Sequence, residues 1–102
     1  MNAQLVSTVH PDVIVVLKQF PAVIGRNVDS AMSLDDRWVS RQHCEFDEVS
    51  GSLVIRDLKS RHGTLVNGSP VQEAVLKSGD RVTIGLSTFV AEIEEAQRAA
   101  AR

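Results

Sequence analysis

Turn signals recur about every ten residues along this chain, and the segments between them are short. The clearest segments are the apolar runs Val13–Leu17, Ala22–Ile24 and Leu53–Ile55. β-Branched side chains favour extended backbone, and runs of three to five residues are shorter than most helices. The pattern therefore predicts an all-β chain, folded as an antiparallel β-sandwich.

Alternation and turn dipeptides refine this prediction. In His43–Val49, Cys44 and Phe46 fall on one face and charged residues on the other, so Cys44 is predicted to be a core residue and not a nucleophile. Asn67–Gly68 is a strong hairpin signal because both residues tolerate positive φ. A last hairpin is predicted over residues 81–93.

The length of 102 residues fits one domain, which we place at residues 1–93. Residues 94–102 are rich in alanine, begin with acidic residues and end with Arg102, a pattern that favours a helix. Nine residues are marginal for an isolated helix in water. We therefore expect a short C-terminal helical tail, frayed or serving as a linker.

Composition excludes several classes of protein. A net charge of −2 is unlike that of nucleic-acid-binding domains, which are usually strongly basic. The longest apolar run, Val13–Leu17, is far below the ~20 residues that span a bilayer, and the N-terminus lacks the basic start of a signal peptide. Cys44 is the only cysteine, and His10, His43 and His62 are scattered, so neither a disulfide within the chain nor a metal site is expected. We predict a cytoplasmic protein without a cofactor, which binds no nucleic acid and does not insert into membranes.

Four segments carry a resemblance to a known family. They are Gly25-Arg26, the Ser-x-x-His motif at 40–43, the stretch from Asp57 to Gly68, and the pattern Leu-x-x-Gly-Asp-x-Val-x-Ile-Gly at 76–85. In this order and spacing they resemble the motifs of the forkhead-associated (FHA) domain, and the resemblance covers residues 13–93. It implies an FHA/SMAD-like sandwich with a binding site in the loops at one end, and a function in docking phosphothreonine-containing segments of partner proteins.

The resemblance assigns the phosphate to Arg26, Ser40 and Arg41, and the chemistry of these residues suits that role. A phosphothreonine carries about −1.5 to −2 charges and three acceptor oxygens. The Arg26 guanidinium can meet two of the oxygens at once, Ser40 can donate a hydroxyl and a backbone N–H, and Arg41 can add a second cation.

Other residues are expected to contact the peptide or to hold the loops. Arg61 and His62 are assigned to the peptide. Residues that brace the loops are expected to be Gly25, His43, Ser60, Gly63 and Asn67. Trp38, the only tryptophan, is expected to pack beneath the Ser40 loop.

His62 departs from the family pattern, which usually has Asn at this place. An imidazole offers one donor and one acceptor, but on opposite edges of its ring. Histidine is also enriched at positive φ, so we expect the loop to keep its shape. The change is expected to affect the affinity for the peptide or its register more than the fold.

Two other functions remain open. Arg61-His62-Gly63 matches the tripeptide of the histidine phosphatases, although it lies past the midpoint of the chain and no second histidine follows it. The other alternative is a degenerate FHA fold that serves in assembly independently of phosphorylation. The prediction is a non-enzymatic signalling module, whose partner is a threonine-phosphorylated protein such as a kinase or a kinase substrate.

Overall fold

A computed structural model of the protein describes residues 1–10, 12–27, 32–34 and 37–94. All of its regular elements in these ranges are β-strands. The strands are β1 (Asn2–Ser7), β2 (Ile14–Leu17), β3 (Ala22–Gly25), β4 (Met32–Ser33), β5 (Cys44–Val49), β6 (Ser52–Asp57), β7 (Thr64–Val66), β8 (Ser69–Val71), β9 (Glu73–Leu76), β10 (Arg81–Ile84) and β11 (Ser87–Glu94).

The strands form two sheets, as the sequence predicted. One sheet has six strands in the order β2-β1-β11-β10-β7-β8, and the other has five in the order β4-β3-β5-β6-β9. Pairing is antiparallel throughout except between β3 and β4, which are parallel. The prediction of an antiparallel sandwich is therefore confirmed, with this one local departure.

Side chains that alternate along the strands fill the space between the sheets. Phe46, Leu53 and Ile55 from one sheet pack with Leu5 and Ile84 from the other, and all five side chains are inaccessible to solvent. Burial of apolar area of this kind is the main source of stability in a small sandwich.

Cys44 is fully buried beside Phe46, which confirms its predicted place in the core. Burial and the nearby Asp57 raise the pKa of its thiol to about 12. The thiol therefore stays protonated at neutral pH, as the prediction of a non-nucleophilic cysteine requires.

Three strands, β1, β4 and β9, were not foreseen, and β1 is the longest of them. Residues 2–7 form β1, which pairs with β11 from Asn2↔Glu94 to Ser7↔Phe89 and with β2 on its other side. Its side chains alternate as in other half-buried strands, with Ala3 and Leu5 inward. Pairing between the two ends of the chain is a long-range contact, which local turn signals do not indicate.

The strand register brings several loops to one end of the sandwich. β10 runs towards Gly85, and its last pair with β7, Ile84↔Thr64, places the β6–β7 loop beside the β10–β11 turn. The opposite end holds the Asn67–Gly68 turn, since Val66 pairs with Val82.

At the C-terminus β11 continues through Glu94, one residue beyond the predicted boundary. The remainder of the predicted helical tail, residues 95–102, lies outside the described residues. No helix long and apolar enough to cross a membrane occurs in the ranges that the structure covers.

Candidate functional site

The end of β3 runs directly alongside the loop that carries Ser40. The Arg26 N–H donates to the Ser40 carbonyl oxygen at 3.0 Å, and the Asn27 N–H donates to the Arg41 carbonyl oxygen at 3.1 Å. Gly25 makes this approach possible, because a Cβ added there would lie 2.1 Å from the Arg41 carbonyl oxygen. The glycine thus fixes the distance between Arg26 and Ser40 through the main chain.

His43 lies beneath this loop with no exposed surface. Its Nδ1 accepts from the Ser40 N–H at 3.1 Å, so the ring proton is on Nε2, which donates to the Gly63 carbonyl oxygen at 2.8 Å. One neutral imidazole therefore joins the Ser40 loop to the loop between β6 and β7.

The Ser40 hydroxyl bridges the same two loops. Its Oγ accepts from the Arg61 N–H at 2.9 Å, which leaves its own proton to donate elsewhere. From the sequence, Ser40 was expected to offer both a hydroxyl and a backbone N–H to a ligand. The backbone N–H is bound to His43 instead, so the hydroxyl is the remaining donor.

Asp57 organises the β6–β7 loop from the end of β6. Its carboxylate accepts from the Ser60 N–H at 3.0 Å, from the Ser60 hydroxyl at 2.5 Å and from the Thr64 hydroxyl at 2.7 Å. Ser60 Oγ in turn accepts from the Gly63 N–H at 2.9 Å. Partial burial raises the pKa of the Asp57 carboxyl, but these hydrogen bonds outweigh it and the pKa lies below its ordinary value.

Asp57 and Thr64 were not among the residues that the sequence assigned to the site. A signal was present, since an aspartate three residues before a serine often closes a turn through its side chain. The buried Thr64 gives no such signal, because only the fold shows that its hydroxyl meets the Asp57 carboxylate.

The arginines predicted for the site lie around Ser40. Arg26 and Arg61 are bonded to Ser40 through their backbone N–H groups, and Arg41 follows it in the chain. All three side chains are exposed. In a chain with a net charge of −2, three arginine residues thus come together at Ser40 through the main chain.

Trp38 is not beneath the Ser40 loop, and this prediction was wrong. The neighbouring Val39 takes the core position with 1% of its surface exposed, whereas Trp38 is 42% exposed. The indole contacts the His62 imidazole, with ring centroids 4.3 Å apart and planes tilted by 57°. Residues 37–39 form a turn and a bend, in which the smaller apolar side chain, Val39, fills the core.

The shape of the β6–β7 loop also differs from the expectation. Positive φ angles occur at Lys59 (58°) and Gly63 (86°), and not at His62. The loop therefore needs no left-handed conformation at the position where the family usually has Asn.

Asn67 lies away from the other predicted site residues. It has a φ of 51°, followed by Gly68 at 84°, as the predicted hairpin turn requires. Its side chain donates to Asp80 Oδ1 at 3.1 Å and accepts from the Arg81 N–H at 3.0 Å. These bonds tie together the two turns at the end of the sandwich opposite Ser40.

Two cavities differ in their relation to the site. A shallow cavity of about 140 Å³ lies beside His62, and its apolar wall includes Trp38, Leu65 and Leu86. A larger cavity of about 760 Å³ lies between the far ends of β1, β2 and β11 and includes none of the predicted site residues. In the described ranges, no three histidine, cysteine or acidic side chains are grouped as metal ligands.

Comparison with known families agrees with this geometry. Residues 22–85, more than half of the chain, match the FHA domain. The chain belongs to the FHA domain family, whose members bind phosphothreonine peptides.

Named relatives are bacterial regulators. The chain is 49% identical over 61 residues to the glycogen accumulation regulator GarA of Mycolicibacterium smegmatis, covering 60% of this chain and 39% of that protein. It is 48% identical over 61 residues to the oxoglutarate dehydrogenase inhibitor of Corynebacterium diphtheriae, covering 60% and 43%. The chain thus spans about two fifths of the length of these relatives.

Solved FHA structures superpose on nearly the whole chain. A domain studied for phosphothreonine-dependent FHA interactions matches with a TM-score of 0.86 and 31% identity, over 92% of this chain and 98% of that one. The FhaA FHA domain in complex with the intracellular domain of Rv3910 matches with a TM-score of 0.82 and 32% identity, over 88% and 99%.

Proposed function

We propose that this chain is a phosphothreonine-dependent interaction module that docks threonine-phosphorylated segments of partner proteins. The observation that carries the proposal is the Ser40 hydroxyl. It is held by the Arg61 N–H, its proton is left to donate, and the main chain of Arg26, Arg41 and Arg61, whose side chains are exposed, lies next to it. A hydroxyl donor among guanidinium groups is suited to a dianionic phosphate.

These positions support the following roles, which we propose for the residues of the site. Arg26 and Ser40 bind the phosphate, and Arg41 adds positive charge. Arg61 flanks the peptide, and His62 orients its main chain. Gly25, His43, Ser60 and Gly63 keep the two loops at a fixed separation, through the hydrogen bonds and the close approach described above.

The cavity beside His62 suits an apolar side chain of the bound segment. Its wall combines the exposed Trp38 ring with Leu65 and Leu86. The contact with Trp38 restrains the His62 imidazole. A hydrogen bond between His62 and an amide of the bound peptide would therefore form together with the apolar contact in the cavity.

The decisive measurement is calorimetric titration with paired peptides that differ only in phosphorylation of one threonine. A screen of a phosphothreonine peptide library first identifies the sequence that binds most tightly, and this sequence is used for the pair. We expect Arg26→Ala to lower the affinity for the phosphopeptide by about 2–5 kcal/mol, because the phosphate loses its bidentate partner. Arg81→Ala, which removes an exposed arginine at the opposite end of the sandwich, is the matched control.

Equal binding of the two peptides would contradict the proposal and favour assembly independent of phosphorylation. A folded Arg26→Ala variant with wild-type affinity would contradict the assignment of Arg26 alone. His62→Asn, which restores the usual family residue, tests the peptide role. If His62 binds the main chain of the peptide, this substitution should change the affinity by a similar factor for phosphopeptides of different sequence.

We also propose that the module is not an enzyme and that it acts in the cytoplasm on a kinase or a kinase substrate. His62 contacts Trp38, and both ring nitrogens of His43, the nearest other histidine of the site, are occupied. This arrangement supplies no second free imidazole for phosphoryl transfer to His62. Turnover of a generic phosphate ester that His62→Ala abolishes would overturn this part.

A further inference from the structure

The edge strand β2 differs from the other strands at the edges of the two sheets. β2 consists of Ile14, Val15, Val16 and Leu17 with no charged residue, and Ile14 and Val16 are 48% and 54% exposed. Natural proteins usually protect sheet edges with charges, proline or very short strands. The other edges follow this rule: β8 contains Pro70, β9 begins with Glu73 and β4 has two residues.

The free side of β2 carries backbone groups that are ready to pair. The Ser7 N–H donates to the Val13 carbonyl oxygen at 3.0 Å, and the register with β1 makes residues 13, 15 and 17 the hydrogen-bonded positions. The N–H and C=O groups of Ile14 and Val16 therefore point away from β1. Within the described ranges no other strand lies on that side.

The charges at the two ends of β2 are complementary under one particular pairing. Asp12 precedes the strand and Lys18 follows it, both are exposed, and neither has an ion pair with any other described residue. Asp12 lies in the turn that the Val13 N–H closes on the His10 carbonyl oxygen. If a second β2 lies antiparallel with Val15 opposite Val15, this turn comes next to the strand end that carries Lys18 of the other copy. A parallel arrangement in register would instead place like charges together.

The same pairing gives hydrogen-bond partners to the outward-pointing backbone groups of β2. Ile14 lies opposite Val16 of the second copy, and these are the residues whose N–H and C=O groups point outward. Each such pair exchanges two hydrogen bonds, and the pair Val15–Val15 on the two-fold axis needs none. The register with Val15 opposite Val15 pairs both outward-pointing residues of each β2, and it is also the one that brings Asp12 towards Lys18.

The outer face of the sheet extends the apolar contact. Ile14 lies opposite Val6, and Val6 lies opposite Val90, so an apolar row crosses three strands on the face turned away from the core. In the paired arrangement Ile14 also adjoins Val16 of the second copy on this face. The two rows become neighbours across the new strand pair.

We propose that the occupant of this edge is a second copy of the chain, and that two copies associate through antiparallel β2 strands into a continuous twelve-stranded sheet, twice the six strands of one copy. β2 runs away from the end that carries Ser40. The two phosphate sites of the dimer therefore face opposite directions, and pairing covers neither.

The first test is the mass of the chain by sedimentation velocity and light scattering across a range of concentrations. The wild type should shift from 11.1 kDa towards twice that mass as concentration rises. Val16→Pro removes an N–H that points to the free edge and leaves the hydrogen bonds to β1 intact, so this variant should remain monomeric with unchanged circular dichroism.

The second test uses charge reversal, which leaves the backbone unchanged. Asp12→Lys and Lys18→Asp should each weaken self-association about tenfold, since each variant creates two like-charge pairs. An equimolar mixture of the two should recover the wild-type affinity, because each copy again meets opposite charges. The double variant D12K/K18D should also recover it.

Weakening in each single variant together with recovery in the mixture is specific to the antiparallel pairing. A parallel pair in register already places like charges together, so neither single variant would weaken it. A contact elsewhere on the surface would leave the mixture no better than the single variants, and either result would overturn the proposal. A wild type that stays monomeric up to millimolar concentration would overturn it as well. So would a dimer whose affinity Val16→Pro leaves unchanged while the variant remains folded.

Discussion

Arg56 and Asp57 are neighbours on β6, but they belong to two polar clusters of opposite kind. Arg56 lies on the outer face of the five-stranded sheet, where its guanidinium contacts Glu45 and Asp47 at 3.1 Å and Glu73 at 2.7 Å. Asp57 lies at the strand end and binds the hydroxyl groups of Ser60 and Thr64. One cluster is built from full charges, and the other from hydroxyl, amide and imidazole groups around one carboxylate.

Solvent access decides what each cluster contributes. The side chains around Arg56 are 21–58% exposed, so water and salt compete with every contact. In the other cluster His43 and Thr64 have no exposed surface, and a lost partner there leaves a polar group without water. The exposed charges therefore add little to the fold, while the buried hydrogen bonds determine where the loops lie.

The largest effect is expected from His43→Ala. It leaves the Ser40 N–H and the Gly63 C=O without their partner and opens a cavity, and we expect a loss of about 3 kcal/mol in the free energy of unfolding. Urea unfolding measures it. A loss below that of Arg56→Gln would contradict the distinction between the clusters.

Gly25→Ala should have the second largest effect, a loss of about 2 kcal/mol in the free energy of unfolding. The new Cβ meets the Arg41 carbonyl oxygen and separates β3 from the Ser40 loop. Affinity for the phosphopeptide should fall as well. Gly68→Ala is the control: its φ of 84° causes strain, but its Cβ meets no atom and the turn lies at the other end. It should lower stability and preserve affinity.

Asp57→Asn should lower the free energy of unfolding by about 1.5 kcal/mol near neutral pH, because the hydrogen bonds from Ser60 and Thr64 are weakened. The folded state lowers the pKa of Asp57. Its stabilisation is therefore complete above the unfolded pKa of about 3.9 and is lost as pH falls through the lower folded value.

Unfolding curves between about pH 5 and pH 2 should show a smaller loss of stability in Asp57→Asn than in the wild type. Parallel curves for the two proteins would mean that the carboxylate gains no net stabilisation from its hydroxyl partners.

The smallest effect is expected from Arg56→Gln. Its removal leaves Glu45, Asp47 and Glu73 near one another, and the resulting repulsion is open to solvent. We expect a slight loss of stability at low ionic strength that diminishes when salt is added. A loss that is large and independent of salt would place Arg56 among the structural residues of the fold.

The sequence predicted most of the fold because its turn and alternation signals are local. Asn67–Gly68 and the alternation around Cys44 gave the correct turn and face. The pairing of β1 with β11 was missed because it joins opposite ends of the chain. Trp38 was misplaced for a related reason: which of two adjacent apolar residues enters the core depends on the space available there, and Val39 fits it.

The same limit applies to the site. Motifs identified the residues that come together around Ser40, but they did not reveal that the Ser40 N–H is committed to His43 or that Trp38 contacts His62. The Trp38–His62 contact joins loops that are distant in sequence. Ser40 and His43 are only three residues apart, but their bond requires the imidazole orientation that the bond from Nε2 to Gly63 fixes. Both contacts depend on how the sheets are stacked, which no short segment encodes.

The loop between β6 and β7 is held mainly by its main chain: Arg61 through its N–H, and Gly63 through its N–H and its C=O. None of these bonds uses the side chain at position 61 or 62. The side chains at those two positions can therefore change with little cost to the shape of the loop. What the loop presents to a ligand is thus separable from what holds the loop in place.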